Sequence, residues 1–148
     1  MKPRMNNPSL VVEDSLPPLL ELTKVIAKTG VPKSTLDLVR LRVSQVNGRD
    51  IRVPAQSGEL EDTDPRLPLV ATWRDVPDFT DAERAALALA EGATRISDSD
   101  DPVPDEVWDE AAKYYTEKEL GALVIQIGLV NLWNRVNVVT RQVPVDWS

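Results

Sequence analysis

The stretch Thr116-Glu117-Lys118-Glu119, running on through Leu120-Gly121-Ala122-Leu123-Val124-Ile125-Gln126-Ile127-Gly128-Leu129-Val130-Asn131-Leu132-Trp133 to Thr140, decides the fold. Thr-x-x-Glu ahead of an apolar run is a capping box. The hydroxyl accepts from the backbone N–H three residues on, and the carboxylate reaches back to the cap. The spacing predicts a long helix through about Thr140. Between Leu120 and Trp133 it is apolar nearly all round. Such a helix is either the central one of the domain or also packs against another subunit. A buried strand over Val124 to Val130 competes, because β-branched residues are frequent there. One strand without partners, however, leaves its backbone polar groups unsatisfied. Gln126 and Asn131 interrupt the run, which falls short of the roughly 20 residues that cross a bilayer.

The same local rules extend toward the N-terminus. Thr80-Asp81-Ala82-Glu83 is a second capping box. It opens an alanine-rich helix to about Ile96, with Ala85, Ala86, Leu89, Ala90, Ala93 and Ile96 inward. Ser97 to Pro102 reads as an acidic loop, and Pro104-Asp105 starts a helix carrying Val107, Trp108, Ala111, Ala112 and Tyr115. Ser34-Thr35-Leu36-Asp37 resembles a capping box with Asp in the Glu place, opening a helix to Asn47. Leu36, Val39, Val43 and Val46 form its stripe, Leu38 and Leu41 broaden it, and Arg40 and Arg42 fall outside. Asn47-Gly48 ends it. Leu16 to Thr29 is a further helix, capped by Ser15, with Leu16, Leu19, Leu20, Ile26 and Ala27 inward and Gly30 as its left-handed stop. From Arg49 to Pro68 the chain carries Pro54, Gly58, Pro65 and the acidic run 59–64, and reads mostly as loop. A short helix around Leu67 to Trp73 follows. No segment alternates with period two. The fold class is therefore all-α, a compact bundle of about five to seven helices. The expected organisation is one domain over 1–148, with 1–14 an N-terminal extension.

Composition narrows the chemistry. The 148 residues include no cysteine and no histidine. Without thiols there is no disulfide, no thiolate nucleophile and no zinc or iron–sulfur site built on sulfur. Without imidazole there is no Ser-His-Asp triad, and the commonest general base near neutral pH is missing. No cofactor or metal is expected. The net charge of −7 argues against nucleic acid and anionic membrane as partners. Met1 to Pro8 has no apolar core segment, so no secretory signal is read there and a cytoplasmic location is expected.

Three blocks carry a resemblance. They are Leu38-Val39-Arg40-Leu41-Arg42-Val43-Ser44-Gln45-Val46-Asn47-Gly48, then Trp73-Arg74-Asp75 with Phe79 through Glu91, then Asn131-Leu132-Trp133-Asn134-Arg135 with Thr140 through Pro144. In this order, covering most of 34–144, they resemble the carboxymuconolactone decarboxylase superfamily, in its alkylhydroperoxidase D-like branch. The resemblance implies a Cys-x-x-Cys-x-x-x-His motif directly after Asn-Gly, with a relay carboxylate in the preceding helix. A helix N-terminus and a nearby base lower a thiol pKa, and the second thiol resolves the oxidised first. The positions matched to the two thiols and the histidine are Arg49, Arg52 and Gln56, and the relay acid falls on Asp37. The chain is also about three residues shorter than that pattern between the first two blocks, nearly one helical turn. With Pro54 and Gly58 there, the helix that would carry the thiols is expected to be shortened or broken.

Each candidate has two readings. Arg49 and Arg52 would form an anion site, or would pair with Glu59, Glu61, Asp62 or Asp64. Asp37 is a relic of the relay, an acid favourable in the first turn of its helix, or both. Trp73, Trp108 and Trp133 line a pocket or belong to the core. Three functions follow. One is a member without thiol peroxidase activity, serving as pseudoenzyme, binding protein or scaffold. Another is a non-redox, decarboxylase- or lyase-like enzyme in which Asp37, Arg49 and Arg52 handle a small anionic molecule. The third is the peroxiredoxin-like antioxidant activity that homology would assign, which a chain with no thiol to oxidise does not support. The resemblance also implies a homo-oligomer, a trimer or hexamer, and the apolar Leu120–Trp133 helix is the expected contact face.

Overall fold

Both capping boxes form as the sequence predicts, and they set the start of two main helices. Thr80 Oγ1 accepts from the Glu83 amide at 3.1 Å while Glu83 Oε1 accepts from the Thr80 amide at 2.8 Å. At Thr116 and Glu119 the matching distances are 3.2 and 2.9 Å. Each cap contributes about 1 kcal/mol. The computed structural model describes residues 2–49 and 64–142. Among them the order is α1 (Pro8–Val11), α2 (Leu16–Ala27), α3 (Lys33–Val46), a 3₁₀ segment (Leu67–Asp75), α4 (Asp81–Thr94), α5 (Asp105–Tyr114) and α6 (Glu117–Val139). No strand occurs among the described residues, and the competing strand over Val124 to Val130 is helix.

Helix α3 packs against α4 and α6, and α4 also contacts α5 and α6. Val39, Val43, Ala85, Ala86, Leu89, Ala90, Leu123 and Ile127 make the main core. The alanines keep the α4 surface low, so neighbouring helices approach it closely. Leu38 and Leu41 do not simply widen the stripe of α3. They enter a second cluster with Val70, Trp73, Phe79 and Leu87, beneath the 3₁₀ segment. Gly92 is the close-approach point of α4, since a Cβ there would run into the Pro102 carbonyl oxygen.

Several expected details differ. Helix α3 starts at Lys33 with Pro32 in the cap position and no side-chain cap, so Ser34 does not form the expected box. Ser15 gives its hydroxyl to the Ser9 and Val12 carbonyls instead of capping α2. Leu20, Ile96 and Trp108 are exposed, not inward. Arg42 is turned inward, not out. The N-terminal extension is docked: Arg4 donates its amide to Thr140 and its guanidinium to Val139, and Gln142 reaches the Met5 carbonyl. The final carbonyls of α6 carry the negative end of its dipole, which favours a cation there.

The largest departure is α6. Its buried side includes Gln126, Asn131, Asn134 and Asn137, while Val124, Ile125, Leu132, Val138 and Val139 face out. Its span of 23 residues, Glu117–Val139, is the one the Thr116 box and the run to Thr140 predict. By length and composition it is the one described helix long and apolar enough to cross a membrane, and half of its most apolar 18-residue stretch is buried against the rest of the chain, as in the core helix of a globular domain.

Candidate functional site

The end of α3 is built by local rules. Gly48 takes φ +73°, the left-handed conformation that favours glycine. Its amide bonds the Gln45 carbonyl at 2.9 Å, and the Arg49 amide bonds the Ser44 carbonyl at 2.7 Å. This pair of bonds is a Schellman motif, and it fixes Arg49 against the last turn of α3. Facing that turn are the amides of α6. Asn47 Nδ2 donates to Asn131 Oδ1 at 2.9 Å, and Asn131 Nδ2 donates to the Ile127 carbonyl at 2.8 Å and to Thr94 Oγ1 at 3.4 Å. Ser44 Oγ donates to Asn134 Oδ1 at 3.4 Å.

One set of groups in this region stays unmatched. Nε and Nη2 of Arg49, Nδ2 of Asn134 and Oδ1 of Asn137 are buried and have no hydrogen-bond partner among the described residues. A guanidinium carries its charge at any pH a folded protein meets. It can bind and orient an anion, but it exchanges neither proton nor electron at neutral pH.

Asp37 lies elsewhere on α3, ten residues before the Asn47 cap and about 15 Å away along the axis. Its nearest cation is Lys33 Nζ at 3.7 Å. Burial raises its carboxyl above the ordinary range, against the lowering pull of Lys33 and Arg40, and burial in turn lowers the Arg40 guanidinium. Asp37 and Arg49 thus stand at opposite ends of one helix. Arg52, Gln56 and most of the acidic run lie outside the described residues. The three tryptophans do not gather. Trp73 is in the second cluster, Trp133 packs against the main core, and Trp108 is exposed.

Two ion networks went unread in the sequence. Glu91 on α4 takes Arg42 Nε at 2.8 Å, Trp73 Nε1 at 2.8 Å and Arg74 Nη1 at 2.8 Å. Burial would raise its carboxyl, but the Trp73 and Arg74 hydrogen bonds and the Arg42 charge hold it below the usual range. Arg66 bridges Asp64 at 2.9 Å and Glu83 at 2.6 Å, and stands over the Phe79 ring. Both fasten the 3₁₀ region to α4. The signal was present as Trp73-Arg74 and Glu91 in one block, but hydropathy assigns the arginine and the glutamate to solvent. Among the described residues no three carboxylates converge to hold a metal ion.

No family model matches the chain. An uncharacterised Bacillus subtilis (strain 168) protein, YdfG, is 27% identical over 123 residues, covering 81% of this chain and 82% of its own. A solved structure from Agrobacterium tumefaciens superposes with a TM-score of 0.82 at 24% identity. It covers 98% of this chain and 100% of its own, and is a protein of unknown function provisionally described as the antioxidant defence protein AhpD. The fold is AhpD-like. At that identity the likeness speaks for architecture alone. The AhpD-like frame here carries Arg49 after Asn47-Gly48, in a chain without cysteine or histidine.

Proposed function

We propose that the chain is a member of the alkylhydroperoxidase D-like branch in which thiol chemistry has been replaced by binding. The observation that carries this reading is Arg49. It occupies the place that the resemblance gives to the first thiol, and one edge of its guanidinium is buried without a partner among the described residues. Arg52 and Gln56, matched to the second thiol and the histidine, extend the replacement. A peroxidase of this kind cycles a sulfur between thiolate and sulfenic acid, and no atom of this chain can do that in a cysteine's place. What a fixed guanidinium does well is hold a small anion.

The same reading includes a homo-oligomer joined through α6. Ile125, 48% exposed, Leu132, 39% exposed, and Val139, 62% exposed, follow one another at the seven-residue spacing of a helix–helix seam. Gly121 and Gly128 lie exposed on the same helix with nothing near their Cβ positions. An apolar helix face of this length is normally covered.

The test is a hydroperoxide assay on the purified chain with dithiol and monothiol reductants. No consumption above a heat-inactivated control is expected. Sustained turnover would overturn the reading.

A further inference from the structure

We propose that Arg49, Asn134 and Asn137 form a site for a small carboxylate that bears a hydroxyl next to its carboxyl group, a 2-hydroxy acid being the simplest case. This rests on the binding reading above and names its ligand class. All the orphaned buried side-chain atoms among the described residues belong to these three residues. Native proteins leave few such atoms, and each costs about 1–3 kcal/mol, more where a charge is involved. Their concentration on three residues near one seam marks a place where a ligand supplies what the chain does not. The other amides of the seam are satisfied, as the Asn47–Asn131 and Asn131–Ile127 bonds show.

Two hydrogen bonds set the register of α3 against α6 along the seam. Gln126 reaches the Leu36 carbonyl, and eight residues on along both helices Ser44 reaches Asn134. Helices α3 and α6 therefore run side by side in the same direction there. Arg49, bonded through its amide to Ser44, comes just past the end of α3, where Asn134 and Asn137 follow on α6. The two asparagines are three residues apart and so neighbours on one helix face. Both are more than nine-tenths buried.

The identity of the orphans specifies the ligand. Nε and Nη2 are the two parallel donors on the side of a guanidinium, spaced for the two oxygens of a carboxylate. Asn134 Nδ2 then needs an acceptor, and Asn137 Oδ1 needs a donor. A hydroxyl is both at once. Phosphate near neutral pH also carries a hydroxyl, but its dianion brings more charge than one guanidinium balances. Chloride leaves the fork half used.

The test is calorimetric titration of the full chain with lactate, propionate, phosphate and chloride. Lactate is expected to bind saturably and several-fold more tightly than propionate, and both more tightly than phosphate or chloride. Arg49→Gln should weaken lactate at least about tenfold, the loss of one charged bidentate contact. Arg49→Lys, which keeps the charge but not the fork, should retain part of the binding. Asn137→Leu should bring lactate down to the propionate level and leave propionate unchanged, with melting curves confirming that each variant is folded. No saturable binding of either acid overturns the proposal, as would follow if an acidic side chain of the chain itself neutralised Arg49. Equal binding of lactate and propionate, a preference for phosphate, or an unaffected Arg49→Gln overturns it too. Those failures leave the hydroperoxide result untouched, whereas peroxide turnover would remove the binding reading beneath it.

Discussion

Trp73 donates its indole N–H to Glu91 Oε1 at 2.8 Å, and the same oxygen takes Arg42 Nε at 2.8 Å. One carboxylate thus joins the 3₁₀ segment, α4 and α3. Arg74 closes the arrangement from outside, 2.8 Å from the other oxygen and over the Trp73 ring at 4.1 Å.

Glu91→Gln should therefore destabilise the fold by about 2–3 kcal/mol, since it leaves Arg42 partly buried beside a neutral amide. Arg74 is mostly exposed and adds little to that figure. The measurement is the urea midpoint of each protein. The pH dependence has a definite sign. The folded Glu91 carboxyl is held below its ordinary range, so its contribution is present above that range and is lost as pH falls through the folded value. The gap between wild type and Glu91→Gln should narrow on acidification. A gap that widened would rule out the ionised carboxylate as its source.

Asp37→Asn should behave in the opposite way. Burial raises the Asp37 carboxyl despite Lys33 and Arg40, so its charged form costs stability at neutral pH. Its stabilising protonation is complete below the unfolded carboxylate range and is lost as pH rises through the folded value. The amide variant should match or exceed the parent at pH 7, and the difference should vanish in acid. A marked loss of stability at pH 7 would show that the Lys33 contact at 3.7 Å outweighs burial.

Gly92→Ala tests the approach of the Pro102 loop to α4. Helix propensity alone would reward alanine by about 1 kcal/mol. The added methyl, however, meets the Pro102 carbonyl oxygen, with a Val103 methyl at 3.3 Å behind it. A net loss of about 1–3 kcal/mol is expected from the overpacking, read from thermal or urea unfolding. A gain would mean that the loop moves away freely.

Leu132→Glu tests the outward face of α6. Light scattering of the parent should give a multiple of 16.4 kDa. The variant should shift toward the single chain while keeping its helical circular dichroism, because Leu132 is exposed within one copy. A parent that stays at the single-chain mass at every concentration would overturn the oligomer.

Much of the frame was legible because it is written in residues three or four apart. Thr80 with Glu83, Thr116 with Glu119, and Asn47-Gly48 each place a helix end by contacts that close within one turn. Which side a residue faces was less legible. Ile96 and Leu20 read as inward by hydropathy, yet their helices end or lie at the edge of the bundle, where little covers them. Arg42 read as outward because its partner, Glu91, stands 49 residues further on.

The sequence by itself determined that the chain is helical, where its principal helices begin, and that no thiol or imidazole chemistry is open to it. It also singled out Arg49, through the residues around Asn47-Gly48. Only the tertiary structure decided that α6 turns Asn131, Asn134 and Asn137 inward while Val124, Leu132, Val138 and Val139 face out. The reason is physical. An amide on an apolar helix is a flaw unless a partner from a distant element meets it, and Asn47, 84 residues from Asn131, is such a partner. Capping geometry is local and can be read along the chain, whereas the satisfaction of a buried polar group depends on what folding brings opposite it.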